Sequence, residues 1–180
     1  MTHAILIQNR VSAQRDEALN RPAISASNLD NGWLVYLNGI YDVDGYEEVF
    51  LAKEPTTGSL TELWMVSSPE IVVTDSKYKG LDPDPRNFYN SASMVFDIFK
   101  PQPGDILTMT ADALTGTAEQ AYAVAAANSS KSAWAAAPSG SLFSMKYLET
   151  THVSIGSGSA IGTQRVAAYK FEVLYNSNVS

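Results

Sequence analysis

The chain has 180 residues, a formal net charge of −7, 45% apolar and 17% charged residues, and no cysteine. That composition belongs to a globular domain with its own hydrophobic core. It excludes disulfides, thiolate metal sites and a thiol nucleophile. The acidic surface, with 12 Lys and Arg scattered along the chain and never clustered, argues against nucleic acid or anionic lipid as a partner.

The amino terminus, Met1-Thr-His-Ala-Ile-Leu-Ile-Gln-Asn-Arg, has an apolar run too short for a signal peptide, and no stretch approaches the roughly 18 apolar residues of a membrane helix. The expectation is a soluble protein with no membrane contact. Residues 1–29 stand apart from the rest. Arg10, Arg15 and Arg21 lie within a polar stretch that Pro22 interrupts, and residues 11–20 have only weak helix potential. This segment reads either as a partly ordered terminus or as an extended arm that orders against another subunit. A single β domain is expected from residue 30 to 180.

From Asn28 onward the pattern is β. Asn31-Gly32 signals a tight turn before Trp33-Leu-Val-Tyr-Leu37, and Asn38-Gly39 signals a second. Strands are expected within residues 46–53, at 63–66 and at 71–74, the last two separated by Ser67-Ser68-Pro69. Residues 74–88, with Asp82-Pro83-Asp84-Pro85, read as loop. Further strands are expected at 93–99, 106–110, 142–152 and 165–175, with a compact turn at 100–105 and a one-turn cap and stop at 112–116. Residues 118–137 have some helix propensity, but the alanine-rich run is short and Asn128-Ser129-Ser130 closes it, which favours a hairpin of 122–127 with 132–136. Short strands with Gly, Pro and Asn turns and no long amphipathic helix predict an all-β, mainly antiparallel fold, a compact barrel or sandwich with an extended N-terminal arm.

Catalytic patterns are missing from the sequence. His3 and His152 are its two histidines, with no nucleophile elbow and no His-x-x-x-His pair. In the acidic run Asp42-Val-Asp44-Gly45-Tyr-Glu47-Glu48, placing Gly45 at the sixth position of a calcium loop puts Ile40 and Leu51 where oxygen ligands belong, so a solvated hairpin tip is expected instead. Asp82 and Asp84, two residues apart on a loop, are better suited to capping turns than to glycosidase chemistry. Gly156-Ser-Gly158-Ser-Ala-Ile-Gly162 lacks the spacing and the lysine of a phosphate loop. Trp33, Trp64 and Trp134, with Tyr36, Tyr41 and Tyr46, could stack on sugars, but aromatic residues in β domains more often fill the core. The expectation is a protein that is not an enzyme, with no cofactor and no metal.

Two stretches carry a resemblance: Asn31-Gly32-Trp33-Leu34-Val35, and Lys100-Pro-Gln-Pro-Gly-Asp-Ile-Leu followed by Asp112-Ala-Leu-Thr-Gly116. Over residues 28–175 the chain resembles the small capsid decoration (cement) proteins and related head structural proteins of tailed bacteriophages. The resemblance implies a virion structural protein, made in the host cytoplasm and placed on the capsid surface. It would stabilise the shell by binding the major capsid protein, beside neighbouring copies or as a homo-oligomer. A tail or baseplate component and a carbohydrate-binding β module are the alternatives. Candidate partner contacts are Ile5, Ile7, Arg10 and Arg15 in the N-terminal segment and Tyr78, Arg86, Phe88 and Tyr89 around the proline-stiffened loop.

Overall fold

The computed structural model describes residues 2–45, 47–57, 62–70, 72–75, 80–82, 84–138, 142–156 and 163–176. Within them the fold is all β, with strands β1 to β14 in chain order and four single-turn 3-10 helices. Five strands close a small barrel: β2 (Asn20–Ile24), β4 (Phe50–Lys53), β3 (Leu34–Ile40), β5 (Trp64–Val66) and β8 (Val95–Phe99), in that order around it. Seven others form an open sheet in the order β1 (Leu6–Arg10), β9 (Ile106–Thr110), β14 (Thr163–Asn176), β13 (Phe143–Gly156), β11 (Tyr122–Ala125), β12 (Ser132–Ala135), β10 (Leu114–Thr115). A short ribbon pairs β6 (Val72–Asp75) with β7 (Gly80–Asp82). Pairing is antiparallel except for β2 with β4 and β10 with β12.

Two hydrophobic cores explain why several strands read as continuous apolar runs. Inside the barrel lie Ala23, Val35, Ala52, Trp64, Val66, Phe96 and Ile98. Between barrel and sheet lie Leu34, Met65 and Phe99, packed with Leu107, Met109, Phe143, Met145, Phe171 and Val173. Neighbouring residues such as Leu34 and Val35, or Trp64 and Met65, therefore enter different cores, because a strand sends successive side chains to opposite faces. Asn176 joins the two halves. Its amide donates to the carbonyls of Leu63 at 2.7 Å and Pro101 at 3.1 Å, and its carbonyl accepts the Leu63 N–H at 3.1 Å.

The N-terminal segment is not an arm. Residues 6–10 are the edge strand of the sheet, residues 20–24 are a barrel strand, and Ala4, Ile5, Val11, Ala13, Ala23 and Ile24 are buried. The Ile5 N–H donates to Thr110 Oγ1 and the Thr110 N–H to the Ile5 carbonyl, and Ala4 N–H donates to Asp30 Oδ2, so its few apolar residues pack far along the chain. The division of the chain near residue 29 does not appear in the fold. The weak helix at 11–20 is two 3-10 turns, Ser12–Gln14 and Glu17–Leu19, the second capped by Asp16.

Other corrections concern register. Asn38-Gly39 is not a hairpin turn. It is a bulge inside β3, where the register jumps from Leu37↔Ala52 to Ile40↔Phe50, and Gly39 takes φ +85°. The reversal comes later, where Tyr41 N–H meets the Val49 carbonyl. The stretch 74–88, expected as loop, contains the β6–β7 pairing and a 3-10 turn at Pro85–Asn87. Asn31-Gly32 is a turn as expected, with Gly32 at φ +84°. Residues 122–125 and 132–135 form the expected hairpin.

Candidate contact surface

The loop after β7 is built from polar side chains that fix one another. Asp84 accepts the backbone N–H of Arg86 at 3.0 Å, and the Arg86 guanidinium grips the same carboxylate, Nε to Oδ1 at 3.0 Å and Nη2 to Oδ2 at 2.6 Å. This forked pair holds the Asp84 carboxyl below the usual carboxylate range and raises Arg86. Arg86 Nη2 also reaches Gln164 Oε1 on β14 at 2.8 Å. His3 ties the loop to the body: its N–H donates to the Arg86 carbonyl, its ring lies 4.9 Å from that of Tyr89, and Nδ1 sits 2.8 Å from Asp30 Oδ1. Beneath it, buried Asn31 and Asn90 complete a polar lattice. Asn31 exchanges bonds with Ser68, and Asn90 bonds the Leu29 carbonyl.

This frame supports a groove. One cleft of about 730 Å³ is walled by Leu6, Ile7 and Gln8 of β1 and by Asn20–Pro22 of β2. A second, of about 370 Å³, is walled by Phe88–Ser91 and Met94–Phe96. Both are also lined by Ser68, Pro69 and Asp97, so the two clefts adjoin. Their apolar lining is open to solvent: Ile7 is 38% exposed, Tyr89 39%, Val95 45% and Met94 63%. Tyr89, Met94 and Val95 gather at the second cleft with Ile7 at the adjoining one, more than the scattered exposure of an ordinary surface.

The outer edge of β1, which would be open to strand addition, is occupied by the chain's own side chains. Glu70 accepts the Leu6 N–H and the Asn31 amide, and Gln14 Nε2 donates to the Gln8 carbonyl at 3.2 Å. Burial at this spot pushes the Glu70 carboxyl up despite both hydrogen bonds. The groove therefore offers a partner side-chain contact surface, with its backbone edge blocked.

Of the eight residues singled out from sequence, Ile7, Phe88 and Tyr89 line this groove, and Arg86 braces it from behind. Ile5 is no surface contact. It is 3% exposed, because it pairs with Thr110 under the sheet edge. Arg10 and Arg15 line a different cleft, of about 540 Å³, with Pro103, Gly104 and Asp105. Tyr78 lies outside the described residues. Met94 and Val95 were legible only as strand residues, and the exposed ends of an alternating strand are the signal that could have found them.

The tryptophans form no common platform. Trp64 is buried in the barrel beneath the Arg21 guanidinium, 4.7 Å from its ring. Trp33 lies under Lys131 Nζ at 5.4 Å. Trp134 packs edgewise among Tyr147, Tyr169 and Phe171, with centroids 5.1 to 5.6 Å away. Trp64 and Trp134 serve packing, as expected of aromatic residues in a β domain, while half-buried Trp33 lines a separate cleft of about 430 Å³. Of the catalytic candidates, His3 and Asp84 are engaged as above and His152 is exposed on β13. Among the described residues no three His, Asp or Glu groups converge as a metal site.

The two longest strands run past their neighbours in the sheet. β9 pairs with β14 only over residues 168–172, and β11 pairs with β13 only over 144–146. From His152↔Ala167 to Gly156↔Thr163 the two long strands pair only with each other among the described residues, over roughly 15 Å, with Ile155 buried and Gln164 held by Arg86. No protein-family model, curated protein or solved structure matches the chain.

Proposed function

We propose that this chain is a virion structural protein that decorates a capsid shell, binding the major capsid protein across the joints between neighbouring subunits. The observation that supports it best is the braced groove with Ile7, Tyr89, Met94 and Val95 open to solvent. A site of this kind buries apolar area against a matching surface and needs no reactive group, so the protein acts without making or breaking bonds. Repetition over many equivalent positions turns modest affinity at each into stability of the whole. A tail or baseplate position would use the same surface. A sugar-binding module draws less support, since Trp33, Trp64 and Trp134 form no common platform and Trp64 and Trp134 are packed against their neighbours.

Co-sedimentation with assembled shells tests the reading. The wild-type chain is expected to pellet with shells to saturation. A Met94→Asp/Val95→Asp variant, changed only at exposed positions, is expected to keep the wild-type melting curve and to bind at least about tenfold more weakly. Equal binding by the variant would rule out the groove as the contact surface. No binding by either protein would rule out the shell as the partner.

A further inference from the structure

The geometry points to a second interface, independent of any shell: the chain pairs with another copy of itself through a basic cleft and an acidic loop that lie at the same end of the barrel. The cleft of about 540 Å³ is lined by Arg10, Ser12, Gln14, Arg15, Pro103 and Asp105, among others. Its one carboxylate faces inward. Asp105 is buried, Oδ1 accepting the Ser12 N–H at 2.8 Å and the Ser12 hydroxyl at 2.7 Å, and Oδ2 accepting the Gln102 N–H at 2.8 Å. Arg10 and Arg15 are exposed, and neither has an ion-pair partner among the described residues, whose pairs are His3–Asp30, Arg86–Asp84, Lys100–Glu62 and Lys170–Glu149. The cleft lining sets two guanidinium groups against one inward-facing carboxylate, a local excess of positive charge on a chain of net charge −7.

The matching surface is the loop between β3 and β4. Asp42, Asp44, Glu47 and Glu48 are all exposed, and none of them is in those ion pairs. The loop is closed at its base by the Tyr41 N–H to the Val49 carbonyl at 2.7 Å, and Ile40 and Val43 stand out from it at 57% and 48% exposure. Apolar groups amid acids on a loop tip suit the centre of an interface ringed by charge.

Cleft and loop belong to one end of the molecule. β2 and β4 run parallel with Ala23 beside Phe50, so the segment carrying Arg15 and the loop carrying the acids lead into neighbouring strands from the same side. The Arg21 guanidinium, 4.5 Å from the Phe50 ring, fastens the starts of β2 and β4 together. Adjacent patches of opposite sign on one end are self-complementary about a two-fold axis, where each loop meets the other copy's cleft. Two acids stand nearer the arginines. Asp16 is engaged in capping the Ala18 N–H, and Glu17 is exposed and in none of the ion pairs named above.

Sedimentation equilibrium of the full chain tests this without shells. Dimer is expected at about 0.1 M salt and its dissociation at about 1 M, where the screening length falls from about 10 Å to about 3 Å. Arg10→Glu/Arg15→Glu and Asp42→Lys/Asp44→Lys/Glu47→Lys/Glu48→Lys should each weaken association at least about tenfold, since each sets like charges face to face. Mixed together, the two variants should pair, because every cleft then meets a loop of opposite sign. A wild-type chain that is monomeric at low salt, variants that still dimerise alone, or a mixture that does not pair would each overturn the inference.

Discussion

Replacing Asn176 with alanine isolates the contact that joins barrel to sheet. The side chain is buried at the end of β14 and serves three backbone groups, the Leu63 N–H, the Leu63 carbonyl and the Pro101 carbonyl. Alanine leaves all three without it in a region where Leu63 and Pro101 are buried. An orphaned buried polar group costs about 1–3 kcal/mol, and three neighbours do not add fully, so the loss should be about 3–5 kcal/mol. For a chain of this size that is a fall in Tm of roughly 10 °C. Urea unfolding followed by near-UV and far-UV circular dichroism reads it. The expected result is a lower midpoint, an unchanged slope and coincident transitions by both probes. A loss under about 1 kcal/mol would refute the assignment of Asn176 as the staple. Separate transitions in the wild-type protein would refute the coupling of the two halves.

Gly32→Ala should destabilise by about 1–2 kcal/mol, because φ is +84° and a Cβ there would meet that of Ala113 at 3.4 Å; thermal melting checks it. Glu70→Gln changes the pH dependence. With its folded pKa raised, the carboxyl favours folding below its unfolded value, and that contribution is lost as pH rises through the folded one. The variant should therefore lose this part of the fall in stability on going from acid to neutral pH, seen as a flatter curve of urea midpoint against pH. Asp84→Asn should act oppositely. Its lowered pKa gives stability that is present above the unfolded pKa and disappears on acidification, so the variant should lose stability at neutral pH and little in acid.

Most strands were legible because turn residues punctuate them and alternation marks their faces. Residues 95–99 illustrate both the success and its limit: Phe96 and Ile98 enter the barrel, as their spacing implies, but Phe99 fills the other core, which no local pattern announces. Strict alternation along β14 puts 167, 169, 171, 173 and 175 on one face. An extra residue at Leu174 shifts the register between Val173 and Tyr175, so Asn176 turns inward and Tyr175 instead donates its hydroxyl to the Pro138 carbonyl. The N-terminal segment escapes a local reading for a different reason. Its partners lie about a hundred residues on, Leu6 opposite Met109 and Ile7 opposite Thr108, and pairing at that separation leaves no trace in a local window. At the groove, Phe88 and Tyr89 stand out as aromatics on a proline-stiffened loop. The lattice of Asp30, Asn31 and Asn90 that holds them does not, since polar residues look the same in sequence whether they are buried and paired or solvated.

Electron microscopy of the native assembled particle tests the central claim most directly. The expected result is density fitting the barrel and sheet on the outside of the shell, repeated at equivalent joints between capsid subunits, with Ile7, Tyr89, Met94 and Val95 covered. Particles that lack this chain, or a bound copy whose groove faces solvent, would contradict it.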